Sequence, residues 1–233
     1  MNYKTIMIRC KGELLSETYY EYCKASWEYT DLKVYDAVTP HTLADQNGKI
    51  TFGRRNNRDL TDTEKACFYS QYNLWHKCAF ENFPILILEH DAFCVNPSPI
   101  RFNPNLMVQY FGQHSMEAVM YHPAFAKKLV EYCDNPDNTV TGPMKLVDSM
   151  LGLFNLGAQS RYAWPHARYQ GQMAPVKTII DPDKGSTVVH NNGGTTVDRL
   201  KRGDRDLFKI VNLNRAEHEA KIRLTLEKAN TSQ

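Results

Sequence analysis

Apolar residues along this chain fall into two kinds of run, short unbroken ones and longer ones with helical spacing. Pro84-Ile85-Leu86-Ile87-Leu88 is the clearest of the first kind. It lacks the alternation of a half-exposed strand and is too short for a core helix, which predicts a parallel strand buried on both faces. Lys4–Arg9 and Leu32–Val38 predict two more strands, and Leu14–Tyr29 between them is long enough for a helix. That β-α-β order favours a parallel sheet. Thr61-Asp62-Thr63-Glu64 fits a capping box, in which the Thr hydroxyl and the Glu carboxylate satisfy free backbone N–H groups at a helix start. The helix it opens is predicted to run to Phe80, with Phe68, Tyr72, Trp75 and Ala79 facing the sheet.

Further along, Met116–Tyr121 predicts a strand, and Pro123 and Pro143 each mark the first turn of a helix. The first of these helices puts Phe125, Ala126, Leu129, Val130 and Cys133 on one face; the second, ending at Phe154, turns Val147, Leu151 and Phe154 inward. The stretch from Thr39 to Leu60 is polar and reads as a loop or flap with little core of its own. His190-Asn191-Asn192-Gly193-Gly194 reads as a loop, and 214–228 as a solvated helix with Glu217/Lys221 and Glu219/Arg223 pairs.

With 233 residues, 42% hydrophobic and 23% charged, the chain suits one sizeable core. We therefore read 1–233 as a single domain, with 1–155 its core and 156–233 a C-terminal loop and helix extension. Lys and Arg number 28 against 26 Asp and Glu, so net charge exerts no overall pull toward nucleic acid or anionic membrane. The six cysteines form no C-x-x-C pair, which points to free, buried thiols in a reducing cytoplasm. No apolar run approaches the roughly 18 residues of a membrane span, and nothing in the pattern marks an oligomeric state.

The candidate chemistry sits where the apolar run stops. Ligands of open α/β sheets gather at the carboxyl ends of parallel strands, and here that end is Glu89-His90-Asp91. Hard carboxylate oxygens and one imidazole can hold a divalent cation against a phosphate. In an extended chain Glu89 and Asp91 share one face while His90 points to the other. Arg54, Arg55, Arg58 and Lys65 either contact phosphates or form a solvated loop, and the helical spacing of Tyr72 and Trp75 is explained by packing.

Leu60-Thr61, Glu64, Ala66-Cys67, Ser70 and Trp75, followed by Ile87-Leu88-Glu89-His90-Asp91-Ala92, resemble glycosyltransferase family 25 in order and spacing. This family includes bacterial lipopolysaccharide and collagen galactosyltransferases. Asp36-Ala37 and Val147-Asp148 extend the resemblance, which runs from Thr5 to Asn155 and is closest in pattern to short members encoded by bacteriophages. Gln71 stands where the family has His, and His90 where it has the first Asp of an acidic pair.

The resemblance implies a Rossmann-like A-type α/β fold with a mostly parallel central sheet and flanking helices. It implies a glycosyltransferase that takes a UDP-sugar donor and Mn2+ or Mg2+. Asp91, Glu89 and a C-terminal His190 are then the metal set, although a lone loop His needs no such role. Arg9, Asp36, Ala37, Arg55, Gln71 and Glu89 form the donor-binding set. Asp148 becomes the candidate base for the acceptor hydroxyl, with Glu117 in reserve; an Asp near a helix start is equally served by the dipole. The acceptor is a hydroxymethylated or hydroxylated base in phage DNA, or a lipopolysaccharide or other glycan; the host cytoplasm is the place of action for a phage-encoded chain. A non-catalytic sugar-nucleotide or glycan-binding module of the same fold is the reading from another class. For DNA, Arg199, Lys201, Arg202 and Arg205 add phosphate contacts, although Asp198, Asp204 and Asp206 are interleaved with them.

Overall fold

The aliphatic run forms the middle strand of one sheet, and the two strands predicted before it lie to one side, one beside it and one at the edge. The computed structural model describes residues 3–46, 50–55, 57–94, 97, 100–111, 116–153 and 176–178. In chain order it contains β1 (Lys4–Arg9), α1 (Leu14–Lys24) continuing into a short 3-10 turn (Ala25–Trp27), β2 (Leu32–Asp36) and α2 (Asp62–Glu81). Then follow β3 (Ile85–Leu88), β4 (Ala92–Cys94), β5 (Val108–Tyr110), β6 (Ala118–Tyr121), α3 (Pro123–Asp134), α4 (Pro143–Leu153) and β7 (Val176–Thr178).

The main sheet has the order β2-β1-β3-β6-β5. β1 is parallel to both β2 and β3, whereas β6 is antiparallel to both β3 and β5. Hence β2, β1, β3 and β5 run one way and β6 runs against them. This is the expected α/β architecture, with a mostly parallel central sheet and flanking helices. β4 and β7 form a separate antiparallel pair.

Strand alternation divides the core. Ile6, Ile8, Ile85, Ile87, Val119 and Tyr121 pack with Phe68 and Trp75 of α2, Phe125 and Leu129 of α3, and Val147 and Leu151 of α4. Met7, Leu86, Leu88, Ala118 and Met120 pack with Tyr19, Cys23 and Trp27 on the other face. β3 is covered on both faces, with no residue more than 1% exposed. That explains its unbroken apolar sequence.

The predicted capping box forms at α2. Thr61 Oγ1 accepts the Glu64 N–H at 3.2 Å, and the Thr61 N–H donates to Glu64 Oε2 at 2.9 Å. Asn82 ends the helix in a left-handed conformation with φ of 50°. The inward residues of α2 include Phe68, Gln71, Leu74, Trp75 and Cys78, so the predicted stripe needs correcting. Tyr72 and Ala79 are only partly buried, and the Tyr72 hydroxyl donates to Asp134 of α3 at 2.6 Å. The helix packs against both the sheet and α3, so its apolar arc is wider than one stripe.

The flap also departs from expectation. Ile50 and Leu60 are buried, and Phe52 sets its ring edge-on to Phe68 at 5.6 Å. Gly53 N–H donates to Val140 O at 2.9 Å and Val140 N–H to Thr51 O at 3.0 Å, which ties the segment to the turn before α4. A few scattered apolar residues in a polar stretch are enough to anchor it. All six cysteines are free thiols, and burial pushes Cys67, Cys78 and Cys133 up to about 12. Among the described residues no helix is long and apolar enough to cross a membrane. The C-terminal Phe154, the His190 loop and the 214–228 helix lie outside the described residues.

Arg58 forks onto Glu64, with both contacts at 2.7 Å. This hydrogen-bonded guanidinium, assisted by Thr61 and opposed by burial, holds the Glu64 carboxyl down to about 2. A carboxylate whose pKa is depressed on folding adds stability above its unfolded value and loses it as pH falls through the folded one. Stability should therefore decline as pH drops from about 4.5 to about 2. Glu64→Gln should flatten that part of the urea-midpoint profile relative to wild type.

Candidate functional site

Three strand ends define one edge of the sheet. β1 ends at Arg9 and β2 at Asp36, opposite each other in register. Arg9 donates to Asp36 Oδ1 from Nε at 3.1 Å and from Nη2 at 2.6 Å, and its guanidinium lies 5.3 Å from the Tyr20 ring centroid. The Ala37 N–H donates to Arg9 O at 2.7 Å. One residue on, the Val38 N–H donates to Ser70 Oγ of α2 at 2.9 Å, and that hydroxyl in turn donates to Ala66 O at 3.0 Å. Gly12, with φ of 81°, allows the turn that leads from β1 into α1.

The third end is β3. Leu88 is its last residue, and a turn follows at once, closed by the Ala92 N–H donating to Glu89 O at 3.0 Å. Glu89 and Asp91 therefore do not share a strand face, because the chain is no longer extended there. Instead His90 is buried with its ring stacked on Tyr19 of α1, centroids 6.1 Å apart and planes 15° apart. Asp91 is only 1% exposed and acts on the thiol of Cys23, also in α1. The Trp27 indole N–H donates to Ala92 O at 2.9 Å and fixes the turn from this side.

Glu89 faces other groups. Its N–H donates to Glu117 O at 3.0 Å, across the start of β6, and its carboxylate acts on Cys10 and Cys67. Burial, then the charges of Asp91 and Glu117, push the Glu89 carboxyl well above the usual carboxylate range. Although part of its surface reaches solvent, three acidic groups sit together at this edge. Burial lowers the His90 imidazole, with Asp91 pulling the other way.

Other predicted residues are dispersed. Asp148 acts on the hydroxyls of Tyr110 and Tyr121, beside β5 and β6, while the charges acting on Glu89 are those of Asp91 and Glu117. Arg55 Nη1 lies 3.8 Å from Glu64, and Arg54 Nε 3.4 Å from Asp59. Gln71 is buried in α2, and its Oε1 has no hydrogen-bond partner among the described residues. His190 lies outside the described residues. A cleft of about 460 Å³ lies between the flap and α2, lined by residues that include Ile50, Phe52, Lys65 and Tyr69. Lys65, a candidate phosphate contact, lines it, but none of the metal, donor-binding or catalytic set does. Tyr19, Trp27 and Ser70 are the residues at this edge that sequence reasoning assigned no role there. Only Ser70 carried a signal, its place in the motif on α2.

Among the described residues no group of three or more His, Cys, Asp or Glu is arranged to hold a metal ion. The donor chemistry nonetheless suits a hard divalent cation, because Glu89 and Asp91 repel each other and a cation relieves that repulsion.

Residues 21–107, which contain β2, α2, β3 and the Glu-His-Asp turn, match the model of glycosyltransferase family 25, described as an LPS biosynthesis protein. The match supports glycosyl transfer as the chemistry. No curated protein sequence matches the chain. Among solved structures, the apo form of mouse xyloside xylosyltransferase 1 is similar with a TM-score of 0.36 and 10% identity, covering 76% of this chain and 97% of that one. That score is too low to define the fold, which rests on the strand order above.

Proposed function

We propose that this chain is a nucleotide-sugar-dependent glycosyltransferase, with a UDP-sugar as donor and a glycan hydroxyl as acceptor. The observation that carries the reading is that the Arg9–Asp36 pair, at the ends of β1 and β2, lies at the same edge of the sheet as Glu89 and Glu117, with Asp36 and Glu89 inside the stretch that matches the family model. Residues 1–155 form the donor-binding core and 156–233 an extension of one domain.

Asp36, Ala37 and Arg9 bind the nucleotide part of the donor. Glu89 and Asp91 would hold Mn2+ or Mg2+, joined by His190. When bound, that ion neutralises charge on the departing diphosphate. Glu117, next to Glu89, is better placed than Asp148 to take the proton of the acceptor hydroxyl. The Arg54–Arg58 cluster is paired with Asp59 and Glu64, which takes support from a DNA acceptor and favours the glycan.

Incubation with UDP-, GDP- and CDP-sugars plus Mn2+ tests the reading through release of the nucleoside diphosphate. Release from a UDP-sugar, lost on chelation, is the expected result. Binding without release from any donor would make the chain a non-catalytic sugar-nucleotide module instead.

A further inference from the structure

The segment that follows β2 is held by groups of different origin. Asp36 is tied to Arg9 and the Ala37 N–H to the Arg9 carbonyl, both within the sheet. The Val38 N–H is tied to a helix, through Ser70 Oγ at 2.9 Å. Ser70 is 3% exposed and Val38 7%, so water does not readily replace that bond. The hydroxyl also donates to Ala66 O one turn back, which leaves its lone pairs aimed at Val38.

Few alternatives hold that amide. β2 lies at the edge of the sheet, with Lys33, Val34 and Asp36 exposed, and β1 stops at Arg9, so Val38 lies past the last paired rung. Ser70 thus joins the end of β2 to the helix whose start is fixed by the capping box and by Arg58.

We propose that Ser70 is a positioning residue for the donor site. By accepting the Val38 N–H it sets the place of Asp36 and Ala37 against the nucleotide. This inference rests on the donor-site reading above.

The test is donor binding and kinetics on the full chain, with UDP and the accepted UDP-sugar as probes. Ser70→Ala is expected to weaken UDP binding and raise the donor KM by about tenfold, the loss expected of one orphaned buried amide. kcat at saturating donor should stay within about twofold, because the reacting groups at Glu89 and Glu117 are untouched. Ser70→Thr, which keeps the hydroxyl, should recover most of the KM. A merely structural serine would lower the melting temperature and leave KM unchanged, and that result overturns the inference. Amide hydrogen exchange on the wild-type protein covers a variant that fails to fold. Saturating UDP should slow exchange at Ala37 and Val38, and unchanged exchange there with UDP bound would refute the proposal. If neither UDP, GDP nor CDP binds the wild-type chain, the donor-site reading fails and this inference fails with it.

Discussion

Glu89→Gln is expected to reduce glycosyl transfer by about a thousandfold while the melting temperature holds or rises. The carboxyl of Glu89 is raised by burial and by Asp91 and Glu117. A carboxylate whose pKa rises on folding is charged more readily in the unfolded chain, so it costs stability as pH climbs above its unfolded value. A neutral amide of the same shape removes that cost at neutral pH. It also removes the charge that the proposed chemistry uses. Activity should fall and thermal stability should not, as differential scanning calorimetry and diphosphate release will record. A fall in both together would make Glu89 a structural residue and contradict the assignment. Asp91→Asn completes the pair: it should remove Mn2+-dependent UDP-sugar binding, read by calorimetric titration, in a chain that still folds. Unchanged binding would take Asp91 out of the metal set.

Trp27→Ala should be the most damaging substitution for the fold, costing about 3–5 kcal/mol in urea unfolding. The indole is fully buried among Met7, Leu86 and Leu88, so truncation leaves a cavity under the sheet. Its N–H also holds Ala92 O, one residue beyond Asp91. Trp27→Phe separates the two effects, since it keeps most of the volume and drops the hydrogen bond. It should cost about 1–3 kcal/mol and still lower transfer, because the Glu89–Ala92 turn loses its outer anchor. Full activity in Trp27→Phe would show that the turn needs no such support.

Elements whose signal is local were legible in the sequence. β3 could be read because burial on both faces leaves no polar position in Ile85–Leu88, and α2 because Thr61 and Glu64 must satisfy the same few amides wherever a helix starts. β4 and β5 could not, since Ala92–Cys94 and Val108–Tyr110 are three-residue strands set by their partners rather than by propensity. The acidic strand end was visible, but its geometry was not. Whether Glu89 and Asp91 share a face depends on where the chain stops being extended, and that is decided by the Ala92–Glu89 hydrogen bond and by Trp27, sixty-odd positions upstream. Side chains that meet across such distances leave no periodic trace. Glu117 was a reserve candidate for the same reason: only the reversed direction of β6 brings the start of a strand to the edge where the others end.

The position of β1 between β2 and β3 has a bearing on how the protein is made. Lys4 pairs with Ile85, so β1, which leaves the ribosome well before β3, cannot gain its second neighbour until β3 has been synthesised. Closing so long an intervening loop is entropically slow. During that interval β1 has only β2 beside it, and the N–H and C=O groups of its other edge are unpaired by β3. Helix α2, locally stabilised by its cap and by Arg58, is complete just before β3 emerges, ready to receive one face of the strand as it arrives.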